Sequence, residues 1–180
     1  MVGVSTPLGA VVSVQPERVA EAQALLDEGG VAAVHSRLGE IIAGRSGSLM
    51  TGVFRWGSHI ADLDDVGEWI ETDDPRVPEW LRPFNGPVLV ALDTDGAYAA
   101  GVGRKRHDDL CQEIAVATEL AHRGRGLARR LVAQAARRIV DEGCVATYLH
   151  RPDNAASAAV AEAAGFPDLG WHILGLPPSR

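Results

Sequence analysis

The stretch Arg123-Gly124-Arg125-Gly126-Leu127-Ala128 has the residue types to hold a strongly anionic group. It follows a strand-like run, Glu113-Ile114-Ala115-Val116-Ala117-Thr118, and opens a helical pattern that continues to about Glu142. A strand that empties through an Arg/Gly turn into a helix gathers several unpaired backbone N–H groups at one point. Those donors, with the positive end of the helix dipole, suit a phosphate. The glycines let the backbone approach a ligand closely, and the arginines add charge-assisted bonds. The G-x-x-x-x-G-K-[ST] phosphate loop is absent, and the dinucleotide fingerprint G-x-G-x-x-G/A is met only loosely. The turn alone therefore reads either as a pyrophosphate cradle or as an ordinary glycine-rich helix start.

A second segment downstream separates these readings. Residues 154–166, Asn-Ala-Ala-Ser-Ala-Ala-Val-Ala-Glu-Ala-Ala-Gly-Phe, predict a helix with a polar start and a glycine stop. Asn154 is a good N-cap, the alanines favour helix, and Gly165 sits where a left-handed C-terminal cap belongs. With these two motifs in this order the chain resembles the GNAT superfamily of CoA-dependent N-acetyltransferases. R/Q-x-x-G-x-G/A is met by Arg123, Gly126 and Ala128, and N-x-x-S…G-F by Asn154, Ser157, Gly165 and Phe166. The likeness spans roughly residues 86–176. It extends to a bacterial subgroup with a Glu-Ile-x-Val-x-Thr strand (Glu113 to Thr118) and an Ala-Gly-Phe…Gly-Trp ending (Ala164 to Phe166, then Gly170-Trp171).

The resemblance implies acetyl transfer from acetyl-CoA to a primary amine of a small molecule or peptide. It also implies an assignment of roles. Val116, Ala117 and Thr118 would offer backbone groups to the pantetheine arm. Arg123, Gly124, Arg125, Gly126, Leu127 and Ala128 would hold the pyrophosphate, and Asn154 and Ser157 would lie beside the pantetheine or sulfur. Helix capping is the other role open to Asn154 and Ser157. Many relatives carry a tyrosine seven residues after the motif asparagine as the acid for the departing thiolate. That position here is Ala161. Either Tyr148 or His150 replaces it, or the thiolate leaves without a dedicated acid, or the chain is a CoA-binding or ligand-sensing module without turnover. Glu113 is the first candidate for the base and His150 the second. Strand alternation counted from Val116 turns Glu113 to the opposite face, where an ion pair is its alternative role.

The net charge of −7 is concentrated in one segment. Asp62, Asp64, Asp65, Glu68, Glu71, Asp73, Asp74 and Glu79 stand there against Arg76 alone, which accounts for the whole imbalance. With Trp69 and Trp80 this segment could attract a cationic amine, or it could be a solvated face. The acidic balance argues against nucleic acid as a partner, although the helices about Gly29-Gly30 superficially suggest a helix-turn-helix. No apolar run approaches the ~20 residues a membrane span needs. Cys111 and Cys144 without a secretory pattern read as reduced thiols, and the expected compartment is the cytoplasm. The histidines and cysteines lack metal-ligand spacing, so no metal is expected. Homodimerisation, which many relatives show, stays open.

The elements that must position these motifs follow from periodicity. Ala10–Val14 predicts a strand. Pro16 starts a helix with Val19, Ala22, Leu25 and Leu26 on one face, and Gly29-Gly30 separate it from a second helix bearing Val31, Val34, Leu38, Ile41 and Ile42. Residues 45–52 predict a loop, Leu49–Ile60 is ambiguous, and Asp64–Ile70 suggests a short helix. Pro75–Pro87 reads as an irregular link. Val88–Leu92 and Ala97–Arg104 predict a hairpin about Asp93-Thr94-Asp95-Gly96. A turn over His107–Leu110 leads to the strand at 111–118. The helix of 126–142 should bury Leu127, Leu131, Ala135, Ile139 and Val140, with Arg129, Arg130, Arg137 and Arg138 outward. Strands follow at Ala146–His150 and near Trp171–Leu176. The fold class predicted is a single-domain α/β protein, a GNAT-like three-layer α/β/α sandwich with a mixed, mostly antiparallel sheet. Residues 1–85 would select the substrate, and 86–178 would form the acetyl-CoA-binding core.

Overall fold

The computed structural model describes residues 3–43, 50–57, 59–106 and 108–175. Most of the loop expected over 45–52, His107, and Leu176 lie outside them. In chain order the strands are β1 (Gly3–Thr6), β2 (Gly9–Val12), β3 (Met50–Gly57), β4 (Glu68–Ile70), β5 (Val88–Leu92), β6 (Tyr98–Arg106), β7 (Cys111–Thr118), β8 (Val145–His150) and β9 (Trp171–Gly175). The α-helices are α1 (Val19–Ala43), α2 (Leu127–Asp141) and α3 (Ala155–Ala164). They form two compact units, Met1–Val53 with Leu169–Arg180, and Phe54–Asp168.

In the first unit β1 pairs antiparallel with both β2 and β9. The break expected in α1 is present: Gly29 (φ −144, ψ 16) and Gly30 (φ 64, ψ −160) leave helical geometry between two helical segments. Leu25 and Val34, one from each segment, pack with Leu174. Val19 and Leu26, expected on the same apolar stripe, are half exposed. The side chains of Val31, Leu38, Ile41 and Ile42 lie outside the described set.

The second unit carries the motifs. Its strands run in the order β3-β8-β7-β6-β5-β4. The pairs β4–β5, β5–β6 and β6–β7 are antiparallel, and β7–β8 is parallel. This is the expected mixed, mostly antiparallel sheet. Strand alternation divides its side chains between two cores. Leu89, Ala91, Ala100, Val102, Ile114, Ala146 and Tyr148 pack against α2 and α3 through Leu131, Ala135, Ile139, Ala161, Ala164 and Phe166. Val88 and Val90 point the other way and pack with Ile70, Val77 and Leu81, with Trp80 and Phe84 at the margin. The Pro-rich link of 75–87 thus covers the second face of β5, through a short 3-10 turn at Glu79–Leu81.

The short helix expected over Asp64–Ile70 is not formed. Residues 61–67 run extended over α2, and 68–70 form the edge strand β4. Tertiary partners overrule local propensity here. Gln134 accepts from the amides of Val66 and Gly67 and donates to Gly67 O, while Arg137 donates to the carbonyls of Ala61 and Leu63. With Arg130 bonded to Asp64 O, two of the four arginines expected to face outward instead hold this segment. Val140, expected in the core, is 40% exposed, and Val132 and Ala136 are buried in its place.

The end of α3 closes the unit. Gly165 adopts φ 99, its N–H donates to Glu162 O, and Phe166 N–H donates to Ala161 O. A Cβ at Gly165 would stand 2.6 Å from His59 O and 2.9 Å from Ala61 N, so both conformation and space demand glycine. Gly143 has a similar φ of 80 with nothing within 4 Å. We expect Gly165→Ala to lower unfolding free energy by at least about 2 kcal/mol, and Gly143→Ala by about 1 kcal/mol, in denaturant titrations. Equal losses would show that the close approach of 59–61 contributes nothing.

Candidate active site

The register of β7 against β8 runs Cys111↔Val145, Gln112↔Ala146, Glu113↔Thr147, Ile114↔Tyr148 and then ends. On its other edge β7 stays paired to β6 as far as Ala100↔Thr118. Glu119 N–H donates to Ala99 O, so antiparallel alternation turns the backbone groups of Ala115 and Ala117 toward β6. Those of Val116 and Thr118 face the side that β8 has left. Arg123 Nε donates to the freed Thr118 carbonyl at 3.2 Å. The Thr118 hydroxyl is buried without any hydrogen-bond partner among the described residues.

Where the strands part, a cavity of about 770 Å³ opens. Its wall includes Val116, Ala117 and Thr118, the whole turn Arg123–Ala128, Asn154 and Ser157. Every residue expected to contact the cofactor therefore lines one cavity. Ala117 does so although its backbone is directed toward β6. Gly124 and Gly126 both take φ 76, which only glycine adopts easily, and Gly126 is the N-cap of α2 without a side-chain cap. The first amides of α2 are left for another acceptor.

Arg123, Arg125 and Arg129 also line the cavity, and none forms an ion pair among the described residues. Arg130, Arg137 and Arg138, farther along the same helix, each hold a carboxylate. Arg129 was not anticipated. A Cβ at Gly126 would lie 3.1 Å from its Nε, because the third helical position folds back over the helix start. His122, also unanticipated, lines the same end, 3.6 Å from Asp93. Unpaired guanidiniums, uncapped amides and an orphaned hydroxyl are the donor set that the pyrophosphate and amide-bearing arm of acetyl-CoA require, so the residues fit that group.

At the vertex of the parting strands, Tyr148 lines the cavity with its hydroxyl 2.8 Å from Ser157 Oγ. Burial pushes its phenol above the ordinary range, against opposing pulls from the Ser157 hydrogen bond and the Arg55 charge. Asn154 Oδ1 accepts from Ser157 N–H at 3.0 Å, so the asparagine caps α3 and fixes the serine in one contact. Ala161 is fully buried.

The structure does not bring Glu113 and His150 to this cavity. Glu113 faces away from α2 and pairs with Lys105 across the β6–β7 ladder at 3.0 Å. His150 is buried, with Nε2 accepting from Arg55 Nε at 3.0 Å and Nδ1 against Arg151 O at 2.9 Å. Because the guanidinium can only donate, Nε2 is the acceptor in that contact, and both ring nitrogens are engaged. Arg55 also donates to Phe166 O and Glu162 and pairs with Asp168. A lone arginine between Phe54 and Trp56 in an apolar strand was the available sign of this buried cation. In the acidic segment, Asp64 and Asp65 are paired to α2 arginines, and Glu68 and Asp74 to Arg76. Among the described residues no cluster suits a metal ion, and no helix is long and apolar enough to cross a membrane.

Fold and cavity together define an α/β protein in which two parallel strands part beside the uncapped start of a helix. Residues 55–166 match the family model described as Acetyltransferase (GNAT) family, and the chain belongs to that family. Its fold is similar to that of a GNAT-family protein from Novosphingobium aromaticivorans, with 23% identity, a TM-score of 0.60, and coverage of 74% of this chain and 68% of that one. A GNAT acetyltransferase from Colwellia psychrerythraea, 13% identical, gives a TM-score of 0.60 over 91% of this chain and 74% of its own. A GCN5-related N-acetyltransferase-like protein from Streptococcus suis, 16% identical, gives 0.54 over 92% and 77%. No curated protein matches the chain.

The orphaned hydroxyl yields a stability prediction. Thr118→Val removes a buried polar atom that has no partner among the described residues. The unfolding free energy should stay equal or rise, measured without ligand. A loss above about 1 kcal/mol would mean that the hydroxyl is bonded within the protein.

Proposed function

We propose that this protein transfers an acetyl group from acetyl-CoA to a primary amine of a small molecule or peptide. The observation that carries this reading is the convergence on one cavity of three arginines without ion pairs among the described residues, an uncapped helix start and a released strand edge. Arg123, Arg125, Arg129 and the amides of Leu127 and Ala128 bind the pyrophosphate. Val116 and Thr118 hold the pantetheine arm along the released edge as a short extra strand would be held. When bound, acetyl-CoA supplies an acyl thioester whose carbonyl carbon accepts the amine. Val116, Val160 and Leu127 exclude water from one side of the arm. The chain's own contribution is thus orientation of the thioester, and any amide donor reaching its carbonyl oxygen stabilises the charge that develops there.

The test is calorimetric titration with acetyl-CoA, followed by thiol release against a panel of primary amines. We expect micromolar binding, thiol release with one amine class, and affinity about 10- to 100-fold weaker in Arg125→Glu/Arg129→Glu. Binding without release from any amine would favour a non-catalytic CoA-binding module. Absence of binding would overturn the reading of Arg123 to Ala128.

A further inference from the structure

Any aminolysis of a thioester must deliver a proton to the departing sulfur. The cavity offers few groups able to do so. The arginines hold their protons too tightly, and the Thr118 hydroxyl has no partner among the described residues to replace a proton it gave up. His122 sits at the arginine end beside Asp93. Tyr148 lies level with Ile114, where the strands part. Thr118, whose carbonyl Arg123 holds, is four residues farther along β7, about 13 Å at the rise of a strand. An arm anchored at the arginines and extended along β7 would therefore bring its far end to Tyr148 and Ser157.

On the transferase reading above, we infer that Tyr148 and Ser157 form a two-hydroxyl relay that protonates the leaving thiolate. As the carbon–sulfur bond breaks with its electron pair on sulfur, Ser157 Oγ gives its proton to the sulfur and takes the Tyr148 proton in exchange. The amine forms the new carbon–nitrogen bond, and its surplus proton goes to solvent, which returns one to Tyr148. Atoms and charge balance without a further reactant.

Three features of the fold support this relay. The 2.8 Å contact joins the two hydroxyls directly. Asn154 fixes Ser157 through its amide, so asparagine is a positioning residue. The Tyr148 ring is held between Phe166 (centroids 5.8 Å apart) and His150 (6.3 Å), and His150 is itself locked by Arg55. A buried phenol retains its proton at neutral pH and so still holds it when the thiolate forms beside it.

The test uses the whole protein and two readouts. Tyr148→Phe and Ser157→Ala should each lower kcat about 100-fold. The calorimetric Kd for acetyl-CoA should change less than about threefold, and the double variant should be no slower than either single one. The second readout needs no turnover. The chain has 2 tyrosines, so in Tyr98→Phe the phenolate absorbance reports Tyr148 alone. Free coenzyme A should raise the Tyr148 pKa by about one unit or more, since a thiolate beside a phenol disfavours its ionisation, and desulfo-coenzyme A should not. Adding Ser157→Ala should remove the difference between the two probes. A Tyr148→Phe variant of normal kcat, or a phenol indifferent to the thiol, would overturn the relay alone. Absence of thiol release by the unaltered protein would overturn the transferase reading and the relay with it.

Discussion

Two parallel strands of the second unit stay in register for four residue pairs and then separate, and the rest of the site depends on that separation. β7 cannot follow β8, because its other edge is still tied to β6 as far as Thr118. An unpaired strand edge inside a protein is costly unless something satisfies it. Part of the cost is met from within, by Arg123 reaching the Thr118 carbonyl. The Thr118 hydroxyl is left without a partner among the described residues. The helix that follows repeats the arrangement, since its N-cap is a glycine without a side chain to occupy the first amides.

A helix start without a side-chain cap has to be held firmly elsewhere. The hold on α2 comes from its middle and end. Gln134 and Arg137 bond the backbone of 61–67, and Arg138 and Arg104 stack on Trp69 while sharing Glu142. The arginines of one helix thus divide by position. Arg130 and Arg137 are consumed by carboxylates and carbonyls of residues 61–65 and Arg138 by Glu142, and Arg129 is left to the cavity. That division gives two carboxylates of the acidic segment, Asp64 and Asp65, a structural task on the helix.

Local chemistry made part of this legible in the sequence. The Arg-Gly-Arg-Gly turn and the Asn154-x-x-Ser157 start are contiguous motifs whose roles follow from glycine conformation and helix capping, and the cavity unites them. The β5–β6 hairpin and α2 carry strong periodicity and formed as expected. The failures share a different cause. Residues 64–70 look helical alone, but Gln134 and Arg137, more than sixty positions away, set them as an extended strap. Type and proximity to the motifs single out Glu113 and His150, whereas Lys105 and Arg55 engage those side chains in the fold. The meeting of Tyr148 with Ser157 spans a strand, a loop and a helix start, and no periodicity encodes it. Arg129 and His122 flank the motif and belonged to no pattern that singled them out.

Amide hydrogen exchange of the protein with and without acetyl-CoA tests the released strand edge most directly. Binding should slow exchange at Val116 and Thr118 and at Leu127 and Ala128, and leave Ala115 and Ala117, already turned toward β6, unchanged. Slowing at Ala115 and Ala117 instead, or none along β7 while acetyl-CoA binds, would contradict the account, because the ligand would then be held somewhere other than the gap between the strands.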